Sequence, residues 1–198
     1  MKLFALLSGV TLAISGCAAL TPTKEMSEGY RVYDVKGVKN PGELAASLKQ
    51  AMQVNAKSVT FSNNIPPNPL PEKPGRFKTT SPFGSTGLGA LLGAQGSAVK
   101  VPVCEDSIVT ATSHDDFGDG AENTTFFVCL LPYANGYHLD IYYSFSKASG
   151  GASPKALGQN LARSMVGDSS QFIPRTLAAL ETAAQSAGGV VTVVESYP

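Results

Sequence analysis

One lysine and then an apolar run open the chain: residues 3–14 (LFALLSGVTLAI) are interrupted only by Ser8, Gly9 and Thr11. Past that run, residues 17–29 are small or polar and read as a tether, so ordered structure is expected from Tyr30. Residues 30–35 alternate in the manner of a half-buried strand. Asn40-Pro41-Gly42-Glu43 then supplies an N-cap, a proline at the first helical position and an acid in the first turn. Leu44, Leu48, Ala51 and Met52 follow at helical spacing to about Asn55, and Val59 and Phe61 mark the next short strand. The pattern predicts an opening β-α-β unit, with a right-handed crossover if its strands are parallel neighbours.

Five prolines fall in residues 62–76 (SNNIPPNPLPEKPGR), which removes backbone donors and predicts an extended surface loop, or a proline-rich segment that a partner recognises. Residues 99–103 and 107–113 read as strands. Residues 124–133 and 137–146 flank Asn135-Gly136, the preferred pair for a type I′ hairpin. Such a turn would pair Pro132 with Leu139, Leu130 with Ile141, Val128 with Tyr143 and Phe126 with Phe145. All of these then share one buried face. The other face, with Phe127, Cys129, Leu131 and Tyr133 against Ser144, Tyr142, Asp140 and His138, is mixed and predicted to be half covered.

Two helices are expected near the end. The first runs from Ser153-Pro154 with Leu157, Leu161 and Met165 four apart, and stops at Gly167. The second starts near Ser170, turns Ile173, Leu177, Leu180 and Ala184 inward, and ends at Gly188-Gly189 before a closing strand over 190–195. The fold class that results is α+β in two layers, a largely antiparallel sheet with about three helices on one face. A single domain spans residues 30–198.

Charge narrows the partners. Fifteen basic and fifteen acidic residues leave no net field to gather nucleic acid. The apolar run near the start is too short for a bilayer span, which needs about 20 residues. A positive start, an apolar middle and small residues at a cut site are the layout of a secretory signal.

Ile14-Ser15-Gly16-Cys17 resembles the lipobox of bacterial lipoproteins, with Ile where Leu is commoner. The resemblance implies that residues 1–16 are a signal peptide, that Cys17 carries a diacylglyceride, and that a membrane is the first partner. Two or three acyl chains make such attachment effectively permanent. Ala18, where an Asp would retain the protein at the inner membrane, implies the outer membrane facing the periplasm.

Of the three cysteines, Cys104 and Cys129 then remain as a pair in an oxidising space, where a disulfide is the expected state. A redox or nucleophilic thiol is the competing reading, although neither a CxxC nor a basic neighbour supports it. Both cysteines sit in strand-like sequence, so neighbouring strands are expected to carry the bridge.

Candidate chemistry is sparse. Asp115, Asp116, Asp119 and Glu122 cluster on a Gly-containing stretch read as a loop before the hairpin, and offer oxygen ligands of the kind Ca²⁺ takes, without EF-hand spacing. His114 with nearby acids, or with His138 and Asp140, is the one starting point for a hydrolase. Residues 84–98 (GSTGLGALLGAQGSA) lack the residues of a phosphate-binding loop, and Leu88, Leu91 and Leu92 there could dock a partner or touch a membrane. No cofactor is expected. The leading expectation is a non-enzymatic interaction, adaptor or envelope-assembly lipoprotein with a protein partner in the envelope. A small-molecule or Ca²⁺ binder and a hydrolase centred on His114 are the alternatives.

Overall fold

A six-stranded antiparallel sheet carries the fold in the computed structural model, which describes residues 23–81, 100–117, 122–149 and 169–198. In chain order the elements are β1 (Thr23–Lys36), α1 (Pro41–Asn55), β2 (Val59–Asn63), β3 (Lys78–Thr80), β4 (Val101–Val103), β5 (Val109–Phe117), β6 (Glu122–Tyr133), β7 (Gly136–Ser149), α2 (Ser169–Ser186) and β8 (Val190–Tyr197). The sheet order is β2-β5-β6-β7-β1-β8, and β3 pairs with β4 in a separate ribbon. The α+β class holds, with two helices among the described residues. The helix expected over 153–166 lies outside them, as do Cys17 and the residues before it.

Local signals place both helices. Asn40 caps α1 by accepting hydrogen bonds from the backbone N–H of Gly42 (3.0 Å) and Glu43 (3.3 Å), and Leu44, Leu48 and Met52 form its buried stripe. Gly188 ends α2 with φ +83°: its N–H donates to the Gln185 carbonyl and that of Gly189 to the Ala184 carbonyl. Phe172, Ile173, Leu177, Leu180 and Ala184 of α2 join the α1 stripe over Tyr33, Val35, Phe126, Val128, Leu130, Leu139, Ile141 and Tyr143 of the sheet. Each large side chain so buried contributes roughly 1.5–3 kcal/mol.

The opening strand, helix and strand form in the expected order, and β1 and β2 point the same way in one sheet, but they are not neighbours, because β5, β6 and β7 lie between them. β1 pairs instead with β7 from Thr23 to Val35, and this long ladder draws into the sheet seven residues expected in the tether. Thr23–Gly29 therefore belong to β1, ahead of the expected start at Tyr30. Polar residues there are accommodated because the ladder is made by backbone groups, with Ser144 and Ser146 opposite Glu28 and Met26.

The β6–β7 hairpin keeps the expected faces in a different register. Tyr133 pairs with Gly136, Leu130 with Leu139, Val128 with Ile141 and Phe126 with Tyr143, a shift of two residues. Ala134 and Asn135 form the turn, and neither has positive φ, so the type I′ geometry is absent. Gly136 serves another purpose. A Cβ there would lie 2.5 Å from the Val35 carbonyl oxygen, so the glycine lets β1 pass beside the turn.

Candidate functional site

The second face of the sheet is covered more fully than expected. Residues 64–77 leave β2 and cross it as a strap, fixed at one end by Asn64, whose N–H donates to the Ile108 carbonyl (3.0 Å) and whose Nδ2 donates to the Ser107 carbonyl (3.0 Å). Midway, the Ala134 N–H donates to the Pro71 carbonyl (2.9 Å). At the far end Phe77 packs against Tyr30 and Tyr142, with ring centroids 5.5 and 5.7 Å away. Cys104, just past β4, is bonded to Cys129 of β6, their Cα atoms 6.4 Å apart. The disulfide therefore joins the ribbon that follows the strap to the main sheet, not two neighbouring strands of one sheet.

A buried ionic cluster lies under the strap. Asp140 of β7 is 1% exposed, and its Oδ2 accepts from the Phe77 N–H (2.8 Å) and from Arg76 Nε (3.2 Å). Arg76 also donates through a second guanidinium nitrogen to Glu195 of β8, which accepts from the Tyr30 hydroxyl as well (2.6 Å). The guanidinium fork thus bridges the carboxylates of two strands that flank β1. Burial pushes the Asp140 carboxyl up to about 6, against the pull of the Phe77 N–H and the Arg76 charge. His138 Nδ1 faces Asp140 Oδ1 at 3.8 Å, too far for a hydrogen bond, and burial holds its imidazole below the usual range. Beside it, the Tyr133 hydroxyl donates to Asp34 (2.7 Å), and burial together with that bond pushes the phenol up to about 12. With the strap in place, both donors to Asp140 are protein groups and its carboxyl is closed to solvent. The cluster acts as a clamp on the strap.

Between its fixed points the strap presents apolar side chains to solvent. Ile65 is 91% exposed and Leu70 45%, in a run where Pro66, Pro67, Pro69 and Pro71 have no N–H to give. On the helix side of the sheet there is also an open groove of about 580 Å³, formed by the start of β1, the far end of β7, the second turn of α2 and Tyr197-Pro198.

The described metal-ligand candidates divide between the two faces of the sheet. Their stretch is strand rather than loop: β5 extends to Phe117 and β6 starts at Glu122, so neighbouring acids alternate between faces. Asp115 and Glu122 are buried on the helix side, and Asp115 Oδ1 accepts from the Lys57 N–H (2.7 Å) to tie the α1–β2 turn to β5. Asp116 is exposed on the other side, and Asp119 lies outside the described residues. Among the described residues, no three His, Cys, Asp or Glu side chains form a cluster able to hold a metal ion. His114 is exposed on β5 beside Thr125 (Nδ1 to Oγ1 3.1 Å), which pairs with Ser144 of β7. His138 is six residues from Ser144 along β7, or roughly 20 Å at the rise of a strand, so the two histidines belong to separate places. Leu88, Leu91 and Leu92 lie outside the described residues.

Arg76, Phe77 and Glu195 were not singled out from sequence. The available signal was Asp140 itself, a carboxylate inside the apolar strand LDIYY that needs a cation if it is buried. Neither the protein-family models nor the curated protein sequences match this chain. No helix among the described residues is long and apolar enough to cross a membrane.

Proposed function

We propose that this chain is a bacterial envelope lipoprotein, held through Cys17 at the outer membrane and facing the periplasm, that acts as a non-enzymatic adaptor for a protein partner. The observation that carries the adaptor role is the strap between Asn64 and Pro71, fixed at both ends while Ile65 and Leu70 stand in solvent. A segment already held in place loses little further freedom on binding. Prolines without donors and exposed aliphatic side chains suit an apolar, aromatic-lined groove on a partner protein. Residues 17–22 separate the anchor from Thr23, whereas Pro71 lies beside the β6–β7 turn at the other end of the sheet, roughly 40 Å away along β1, so the strap would face away from the membrane end of the domain.

Two measurements test this reading. Intact mass of the natural product reports whether Cys17 carries acyl groups. Crosslinked envelopes, purified with the wild type and with an Ile65→Asp/Leu70→Asp variant, report the partner. One specific protein captured by the wild type and missing from the variant supports the adaptor role, whereas identical partner sets for the two chains refute it.

A further inference from the structure

We propose that the groove beside the start of β1 shelters an acyl chain of the lipidated Cys17, an inference that rests on the lipoprotein reading. Met26 and Ser27 of β1, Tyr143 and Phe145 of β7, and Ile173 and Pro174 of α2 line most of it. At about 580 Å³ it lies within the roughly 300–1,000 Å³ range of clefts that hold small apolar ligands.

The floor depends on one glycine. The Tyr143 ring lies across Gly29, where a Cβ would come within 2.5 Å of it, so the aromatic surface is laid flat along the strand. The one acidic side chain in its lining, Glu28, is engaged by Lys100 and by the Tyr142 hydroxyl (2.8 Å). At Pro174 the first turns of α2 lack a backbone donor. Met26, at 62% exposure, and Tyr197, at 55%, leave apolar surface open at the rim.

The position of the anchor selects the occupant. Cys17 stands six residues before Thr23, no more than roughly 20 Å of extended chain, and Met26 at the groove is only three residues into β1. A lipid on Cys17 is therefore delivered near this end of the sheet. One acyl chain can exchange between the groove and a bilayer, so the groove would shield it whenever the protein is away from a membrane.

The test uses the full acylated chain, made in cells fed a palmitate analogue that carries a photoreactive diazirine. Intact mass first establishes that the analogue sits on Cys17. The chain is then irradiated at nanomolar concentration in buffer, with and without phosphatidylethanolamine/phosphatidylglycerol vesicles. Label on peptides that contain Met26, Tyr143, Phe145 or Ile173, lost when vesicles are added, is the expected result. A Ser27→Arg variant with unchanged thermal unfolding should lose most of that label. Label spread over the whole surface, or found only between two copies, overturns the inference while the lipoprotein reading stands. A Cys17 without acyl mass removes both.

Discussion

Arg76 and Asp140 are 64 residues apart in the chain and 3.2 Å apart in the fold, and their contact closes a proline-rich strap over one face of the sheet. It is the centre of a network that reaches Glu195, Tyr30 and Phe77.

Removing the cation leaves a buried carboxylate with one donor fewer. Arg76→Ala is expected to lower unfolding stability by about 2–3 kcal/mol, toward the low end for broken buried pairs because the arginine is partly exposed. Urea unfolding measures the loss. Hydrogen exchange should show it concentrated at Phe77 and its neighbours. An Arg76→Met/Asp140→Leu double variant, which leaves no buried lone charge, should recover most of the stability.

The Asp140 carboxyl also sets a pH dependence. Its folded value of about 6 lies above the ordinary 3.8, so the folded state holds a proton that the unfolded state releases. The resulting stabilisation is complete below pH 3.8 and disappears as pH rises through 6. Relative to Asp140→Asn, the wild type should therefore lose up to about 3 kcal/mol between pH 4 and pH 8. Paired urea titrations at those two pH values measure it, and a wild type that gains on the variant as pH rises would contradict the assignment.

Opening the disulfide frees the ribbon beyond the strap. The Cys104→Ala/Cys129→Ala variant should lose about 3 kcal/mol for a closed loop of 25 residues. For a domain of this size that corresponds to a fall of about 10 °C in melting temperature. Calorimetry with and without reductant checks it, since the variant should be insensitive to reductant and the wild type should not.

At the hairpin, Gly136→Ala would drive a methyl group into the Val35 carbonyl oxygen. A loss of about 1–3 kcal/mol is expected, as for other overpacked sites. Denaturant midpoints measure it, and a loss of only a few tenths of a kcal/mol would contradict the close approach of Val35.

How far each part was legible follows from the distance over which its cause acts. Asn40, Pro41 and the Leu44–Leu48–Met52 stripe define α1 within its own sequence, and Gly188 likewise ends α2. The faces of β6 and β7 were legible because alternation is local. Their register was not, since the deciding contact at Gly136 comes from Val35, a hundred residues earlier. The prolines announced the strap, but what it covers depends on Arg76 meeting Asp140. Asp115 and Asp116 were read together as one cluster because adjacency in sequence conceals the alternation of a strand.

The position of β1 bears on how the chain is made. Thr23 finds its partner only in Ser149, and Tyr30 in both Tyr142 and Tyr197. Because a growing polypeptide emerges from its N-terminus, this strand must wait with bare backbone groups until residues 137–149 have been made for one edge and residues 190–197 for the other. Contacts so distant along the chain slow folding. A truncated translation product that ends before Gly136 would have neither neighbour for its first strand, and quality control would meet it as an open sheet edge.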